Sequence, residues 1–229
     1  MTKIALVHAV QAAIPPIEDA FKNLWPEARR TNLLDDSLTA DREAAGSLTP
    51  QLSERIMSLA SYAAGTGADA VLFTCSAFGD AIDAAARALP LPVLKPNEAM
   101  FEAALNAGDR IGMLATFAPA VDSMEEEFRE MARQRGSAAT IETFVAPGAR
   151  AALIAGDIAE HDRLVAEAAS VFDHCDALVL AHFSTATAEE QVRARTRRTV
   201  APSAPRSAIA KLRSVLERGN AFRSSTTAK

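Results

Sequence analysis

The chain repeats itself. Shifted by 107 positions, Lys3-Ile4-Ala5-Leu6-Val7 falls on Arg110-Ile111-Gly112-Met113-Leu114. The same shift sets Phe21-Lys22 on Phe128-Arg129, Asp69-Ala70-Val71-Leu72-Phe73-Thr74-Cys75 on Asp176-Ala177-Leu178-Val179-Leu180-Ala181-His182, and Val93 on Val200. Any one of these matches can arise by chance, because strand ends share a composition. One constant offset at four separated places is much harder to reach that way. The chain therefore reads as two like halves, 1–97 and 98–204. A closing segment, 205–229, contains a helix from Pro205 to Arg218 with Ile209, Leu212, Val215 and Leu216, and is expected to return to the first half.

Within each half, short apolar runs alternate with helical patterns. Runs at 4–7, 70–73, 91–94, 111–115, 141–145, 177–180 and 199–201 read as buried strands. Helical periodicity occupies 17–24, 51–65, 78–89, 120–135, 157–174 and 188–195. Strand and helix in alternation give βαβ units. The expected fold is thus α/β: two similar lobes, each a parallel sheet flanked by helices, related by a pseudo-twofold internal duplication. With 49% hydrophobic residues, the chain has enough apolar material for a real core in this arrangement, which excludes a disordered or fibrous chain.

Charge and cysteine content narrow the partners. A net charge of −5 argues against nucleic acid, and the basic run Arg193–Arg198 reads as the cationic end of a helix. No run approaches the ~18 apolar residues of a membrane span. No cleavage site follows a charged head, so a cytoplasmic, reduced setting is expected. The two cysteines, Cys75 and Cys175, are expected to stay unpaired, Cys175 as a structural residue about 20 Å from the far tip of its strand.

In open parallel sheets, ligands sit beyond the carboxyl ends of the strands, and Cys75 and His182 both stand there. A thiol at a helix N-terminus is expected to have a lowered pKa, and an imidazole can give or take a proton near neutrality. The Thr74 and Ser76 hydroxyls flank the thiol and suit a carboxylate or oxyanion. His8 and Thr116, at the ends of the first strand of each half, are expected to line the same cleft. His161 and His174 read as surface or packing residues, and the acidic stretch Asp35–Glu43 as a solvated loop with the length of a lid. There is no phosphate-binding glycine loop, no C-x-x-C and no metal-ligand spacing, and Phe73 and Ala77 stand where a nucleophile elbow has glycines.

Thr74-Cys75-Ser76 after a strand, Arg110-Ile111-Gly112-Met113-Leu114-Ala115-Thr116 opening the second half, and Val179-Leu180-Ala181 before the second tip resemble the aspartate/glutamate racemase superfamily. That group includes amino-acid, hydantoin and allantoin racemases, maleate isomerases and arylmalonate decarboxylases. The resemblance implies proton transfer at the α-carbon of a small carboxylate, with no cofactor and no metal. A cysteine from each half would face the substrate, and the assembly would be compatible with a homodimer. It also implies carboxylate binding by Thr74, Ser76, Thr116 and Ser184. The second cysteine of the pattern is His182 here, so Cys75 and His182 become the opposed pair. Decarboxylases of the group keep one cysteine, in the second half, the reverse of this chain. Three functions follow as expectations: a racemase or isomerase, a Cys–His lyase or hydrolase with Cys75 as nucleophile, and a silent small-molecule binding protein.

Overall fold

Among the described residues, eight strands form two four-stranded parallel sheets, and the same order recurs in both. The first half contributes β1 (Lys3–His8), β2 (Arg29–Leu34), β3 (Ala70–Phe73) and β4 (Val93–Leu94), in the order β2-β1-β3-β4. The second contributes β5 (Arg110–Ala115), β6 (Thr140–Val145), β7 (Ala177–Leu180) and β8 (Thr199–Val200), in the order β6-β5-β7-β8. The α-helices that accompany them are α1 (Ile14–Leu24), α2 (Ser37–Ala45), α3 (Pro50–Gly65), α4 (Gly79–Ala88), α5 (Glu98–Leu105), α6 (Val121–Gln134), α7 (Ala149–Ile154), α8 (Ile158–Ala168), α9 (Glu189–Arg195) and α10 (Ala204–Thr226). This computed structural model describes the backbone of residues 1–226 and side chains through Gly219. Positions 227–229 of the closing segment lie outside the described residues. No helix among the described residues is long and apolar enough to cross a membrane.

The 107-residue offset carries β1 onto β5 and β3 onto β7 end for end. β6 departs from it, lying four positions later than the offset places β2, because α6 is three residues longer than α1 and the turn that follows it is one residue longer. The sequence pattern missed β2 altogether. Its residues, Arg-Arg-Thr-Asn-Leu-Leu, form a half-exposed edge strand with no continuous apolar run.

The acidic stretch expected as a loop is α2, which buries Leu38 and Arg42 and ends on a left-handed Gly46. The patterns also passed over α5 and α7, each eight residues or fewer.

Side chains alternate across the second sheet. Ile111, Met113 and Ala115 join a core shared with the first half, while Leu114, Leu178 and Leu180 pack in a separate cluster with Val165 and Phe172. α10 packs on α1, α5 and β3, and α5 packs on α6 and β7. The helix that follows β4 thus lies against the second sheet, and the helix that follows β8 against the first. Lys211 on α10 pairs with Glu98 (2.6 Å) and Glu102 (2.7 Å) of α5.

Gly112 stands on β5 where the first half has Ala5. A Cβ there would lie 2.4 Å from Cγ of the buried Phe172 ring. Gly112→Ala is expected to destabilise the chain by about 1–3 kcal/mol, read as a lower urea midpoint with an unchanged slope. An unshifted midpoint would mean that the ring moves aside freely.

Candidate active site

In both sheets the strand order reverses beside the first strand, between β1 and β3 and between β5 and β7. Chain leaving these strands diverges and leaves a crevice. The two crevices meet in one cavity of about 110 Å³, lined from β3 by Thr74, Cys75 and Ser76, from β5 by Thr116 and Phe117, and from β7 by His182 and Ser184. Cys75 and His182 therefore face the same small space. Ala13, Ala77, Phe78, Leu153 and Phe183 make much of the remaining wall apolar.

Of the site residues expected from sequence, only His8 is absent from the lining. It is fully buried behind Thr74. Its Nε2 lies 2.9 Å from Asn32 Oδ1, and Asn32 in turn donates to Glu18 at 3.1 Å. With Nε2–H given to Asn32, Nδ1 accepts from the Thr74 hydroxyl at 2.8 Å. His8 thus orients Thr74 and does not meet a ligand. Burial lowers its pKa, partly opposed by the Asn32 hydrogen bond.

The thiolate expected at Cys75 is also corrected. Cys75 does precede a helical turn and α4. Burial nevertheless pushes its pKa up to about 12, against a smaller opposing hydrogen bond from its own backbone. In this cavity desolvation of the charge outweighs the favourable end of the helix, so the resting group is a neutral thiol.

His182 has φ 73° and ψ 147° and is the one non-glycine residue with positive φ among those described. This region is strained for any side chain. Thr185 holds the turn, its hydroxyl donating to the carbonyls of Ala181 and His182 (2.9 Å to the latter). The strain brings the imidazole between two partners. The Phe117 N–H donates to Nε2 at 3.3 Å, and Nδ1 lies 2.7 Å from Ser76 Oγ.

An N–H donor at Nε2 requires the lone pair there, so the ring proton sits on Nδ1 and is donated to Ser76. The Ser76 hydroxyl is left to donate into the cavity. Burial, reinforced by the charges of Arg150 and His161, depresses the His182 pKa to about 4. The ring is therefore neutral. Since the unfolded chain has an ordinary histidine, it binds more protons than the folded chain between about pH 6.5 and 4. The stabilising effect of a neutral His182 is complete above that window and is lost as pH falls through it, by up to about 3 kcal/mol. Urea unfolding at pH 7 and pH 4.5 should show this loss in the wild type and a smaller one in His182→Gln. Equal losses would contradict it.

Two arginines carry no signal in the sequence. Arg150 on α7 lines the cavity and reaches across to Glu43 on α2 (2.6 Å), with its guanidinium 4.2 Å from the Phe117 ring centre. It is the sole charged side chain in the lining among the described residues. Arg42, buried on α2, donates to Ala77 O (3.4 Å) and Pro119 O (3.2 Å), tying together the loops that follow β3 and β5. Both belong to short helices outside the strand motifs, so neither periodicity nor the repeat signals them. α2 thus closes over the cavity. His161 is buried against Asp162 (2.7 Å) and His174 is exposed, both outside the cavity.

A family model for Asp/Glu/Hydantoin racemase matches residues 7–196. The sequence matches no curated protein significantly. Among solved structures, the chain resembles glutamate racemase from Francisella tularensis in complex with D-glutamate (TM-score 0.74, 15% identity, 96% of this chain and 82% of that one). It also resembles allantoin racemase from Pseudomonas fluorescens (TM-score 0.67, 16% identity, 95% and 92%) and a double mutant of arylmalonate decarboxylase (TM-score 0.61, 18% identity, 93% and 92%). At such identities these likenesses speak for the two-lobed fold. Because the family match runs from β1 to α9 and takes in both halves of the repeat, the chain belongs to the Asp/Glu/Hydantoin racemase family and is an enzyme of the racemase-like type.

Proposed function

We propose that the chain catalyses cofactor-independent proton transfer at the α-carbon of a small carboxylate bearing an apolar substituent, with Cys75 as the group that carries the proton to carbon. The observation that carries this reading is the pairing, in one cavity, of a neutral thiol with an imidazole whose two nitrogens are both engaged. Arg150 and the hydroxyls of Ser76, Thr116 and Ser184 supply cationic and polar contacts for a carboxylate, whereas the Thr74 hydroxyl expected to join them gives its proton to His8. Among the described residues no aspartate or glutamate lines the cavity to receive an α-ammonium group, and the apolar wall suits an aryl or alkyl substituent.

A carbanion at the α-carbon spreads its charge onto the carboxylate as an enediolate. The chain from Phe117 N–H through His182 to the Ser76 hydroxyl is directed at that charge, and linked hydrogen bonds of this kind strengthen one another. A substituted malonate reaches the enediolate by losing carbon dioxide, with the electrons of the broken C–C bond left on carbon. The Cys75 S–H then protonates that carbon, and water returns a proton to sulfur. This route needs an acid and no resting base, which matches a thiol with a pKa near 12. His182 acts in it as a positioning residue.

A second reading, isomerisation with His182 as the opposed base, is favoured by the place of His182 at the repeat position of Cys75. It requires the Phe117 N–H bond to open so that Nε2 can face carbon.

The test is a panel of 2-substituted malonic and monocarboxylic acids incubated with the enzyme in heavy water and followed by NMR. Deuterium at the α-carbon of the product is expected. Turnover without α-deuterium, accompanied by a covalent adduct on Cys75, would overturn the reading in favour of a nucleophilic hydrolase. Ligand binding without any turnover or exchange would leave a binding protein.

A further inference from the structure

At the opposite end of the second sheet, three side chains of different chemistry converge. Glu142 on β6, His174 and Cys175 place a carboxylate oxygen, an imidazole nitrogen and the sulfur within 4.8 Å of one another. The Cys175 thiol lies 3.2 Å from Glu142 Oε1, and His174 Nε2 contacts the same oxygen. We infer that this cluster is a binding site for a borderline-soft divalent cation of the zinc class, held by Glu142, His174 and Cys175.

The geometry supports three ligands on one tetrahedral ion. Bonds of about 2.0–2.3 Å to O, N and S at a tetrahedral angle set ligand atoms roughly 3.5 Å apart; the Cys175 sulfur and the Glu142 oxygen are already 3.2 Å apart, and His174 reaches the same oxygen. Thiolate, imidazole and carboxylate together select zinc-like ions over magnesium or calcium, which take oxygen ligands. The backbone holds the ligands in place. Glu142 is fixed by the β5–β6 ladder opposite Gly112, and the Cys175 N–H bonds to Phe172 O at 2.9 Å. Glu142 and His174 are exposed while Cys175 is buried, so an ion can arrive from solvent and meet the sulfur beneath. The nearby cation, Arg110, is already engaged by Asp176 at 2.8 Å.

Binding replaces the thiol proton, which passes to solvent, and leaves a position for water. The ion would tie the edge strand β6 to the chain entering β7. Spacing along the sequence conceals the site because Glu142 lies 32 positions before His174 and joins it only through the strand order β6-β5-β7. The inference is independent of the reaction proposed above, since Cys175 and His182 lie at opposite ends of β7.

The test is titration of the chelator-treated full chain with Co2+, followed by competition with Zn2+. One equivalent is expected to give a near-ultraviolet thiolate-to-cobalt absorption that zinc displaces. Cys175→Ser should abolish the band, and Cys75→Ser should keep it. His174→Asn and Glu142→Gln, both at exposed positions that leave the core intact, should each weaken binding at least as much as the roughly 10- to 100-fold loss seen for outer partners of a metal site. No band in the wild type, a band that survives in Cys175→Ser, or unchanged affinity in both exposed variants would overturn the proposal.

Discussion

Cys75→Ser is expected to lower turnover about 10²- to 10⁴-fold, the range contributed by a positioned acid or base, while the folded structure and ligand binding persist. Serine fills nearly the same volume in a position only 8% exposed, so unfolding does not account for the loss. The buried neutral thiol also predicts slow alkylation by iodoacetamide at pH 7.5 compared with a free thiol, because the thiolate is the reacting form. Cys175→Ser should leave turnover as it is. If Cys75→Ser kept most of the activity, or if Cys75 alkylated rapidly near neutral pH, a different residue would carry the proton or the cavity would hold a thiolate.

Arg150→Ala is expected to raise KM by roughly 10- to 100-fold with a smaller change in kcat. Hydrogen bonds to charged groups are worth about 1.5–3 kcal/mol, and each 1.4 kcal/mol is about tenfold in affinity. The competing pair in the free enzyme, Arg150 with Glu43, has side-chain exposures of 29% and 51%, and such pairs contribute little. A carboxylate in the apolar cavity meets the same guanidinium with less screening, so it can draw Arg150 from Glu43. The sign of a second variant follows: Glu43→Gln frees the arginine and should lower KM. An unchanged KM in both variants would mean that Arg150 serves only to fasten α7 to α2.

Much of this site could be read before the fold was known, because duplication imposes geometry. A constant offset through Lys3–Val7 and Asp69–Cys75 fixes which strands correspond, and parallel sheets collect their ligands at one end. That was enough to set Cys75 opposite His182 and to list four of the hydroxyl groups. The parts that escaped depend on contacts between distant segments. β2 lacks an apolar run because it is a half-exposed edge. α2 looked like a solvated loop because its acidic face conceals two buried side chains, Leu38 and Arg42. Arg150 and Phe117 carry no motif and matter only because α7 and the turn after β5 bring them to the cavity. The raised pKa of Cys75 escapes the sequence for a similar reason: the helix end is visible there, but the depth of burial that overrides it is not.

The strained backbone at His182 bears on the number of proton carriers. Positive φ at a histidine has an energetic cost, and what it secures here is a ring held between Phe117 N–H and Ser76, with no lone pair free for carbon. Proton delivery then comes from the Cys75 side alone. The direct measurement is the configuration of the α-deuterated product formed in heavy water from a prochiral substituted malonate. The account predicts a single enantiomer throughout the reaction. Equal amounts of both enantiomers from the earliest turnovers would contradict it, since that outcome requires a second carrier on the opposite face.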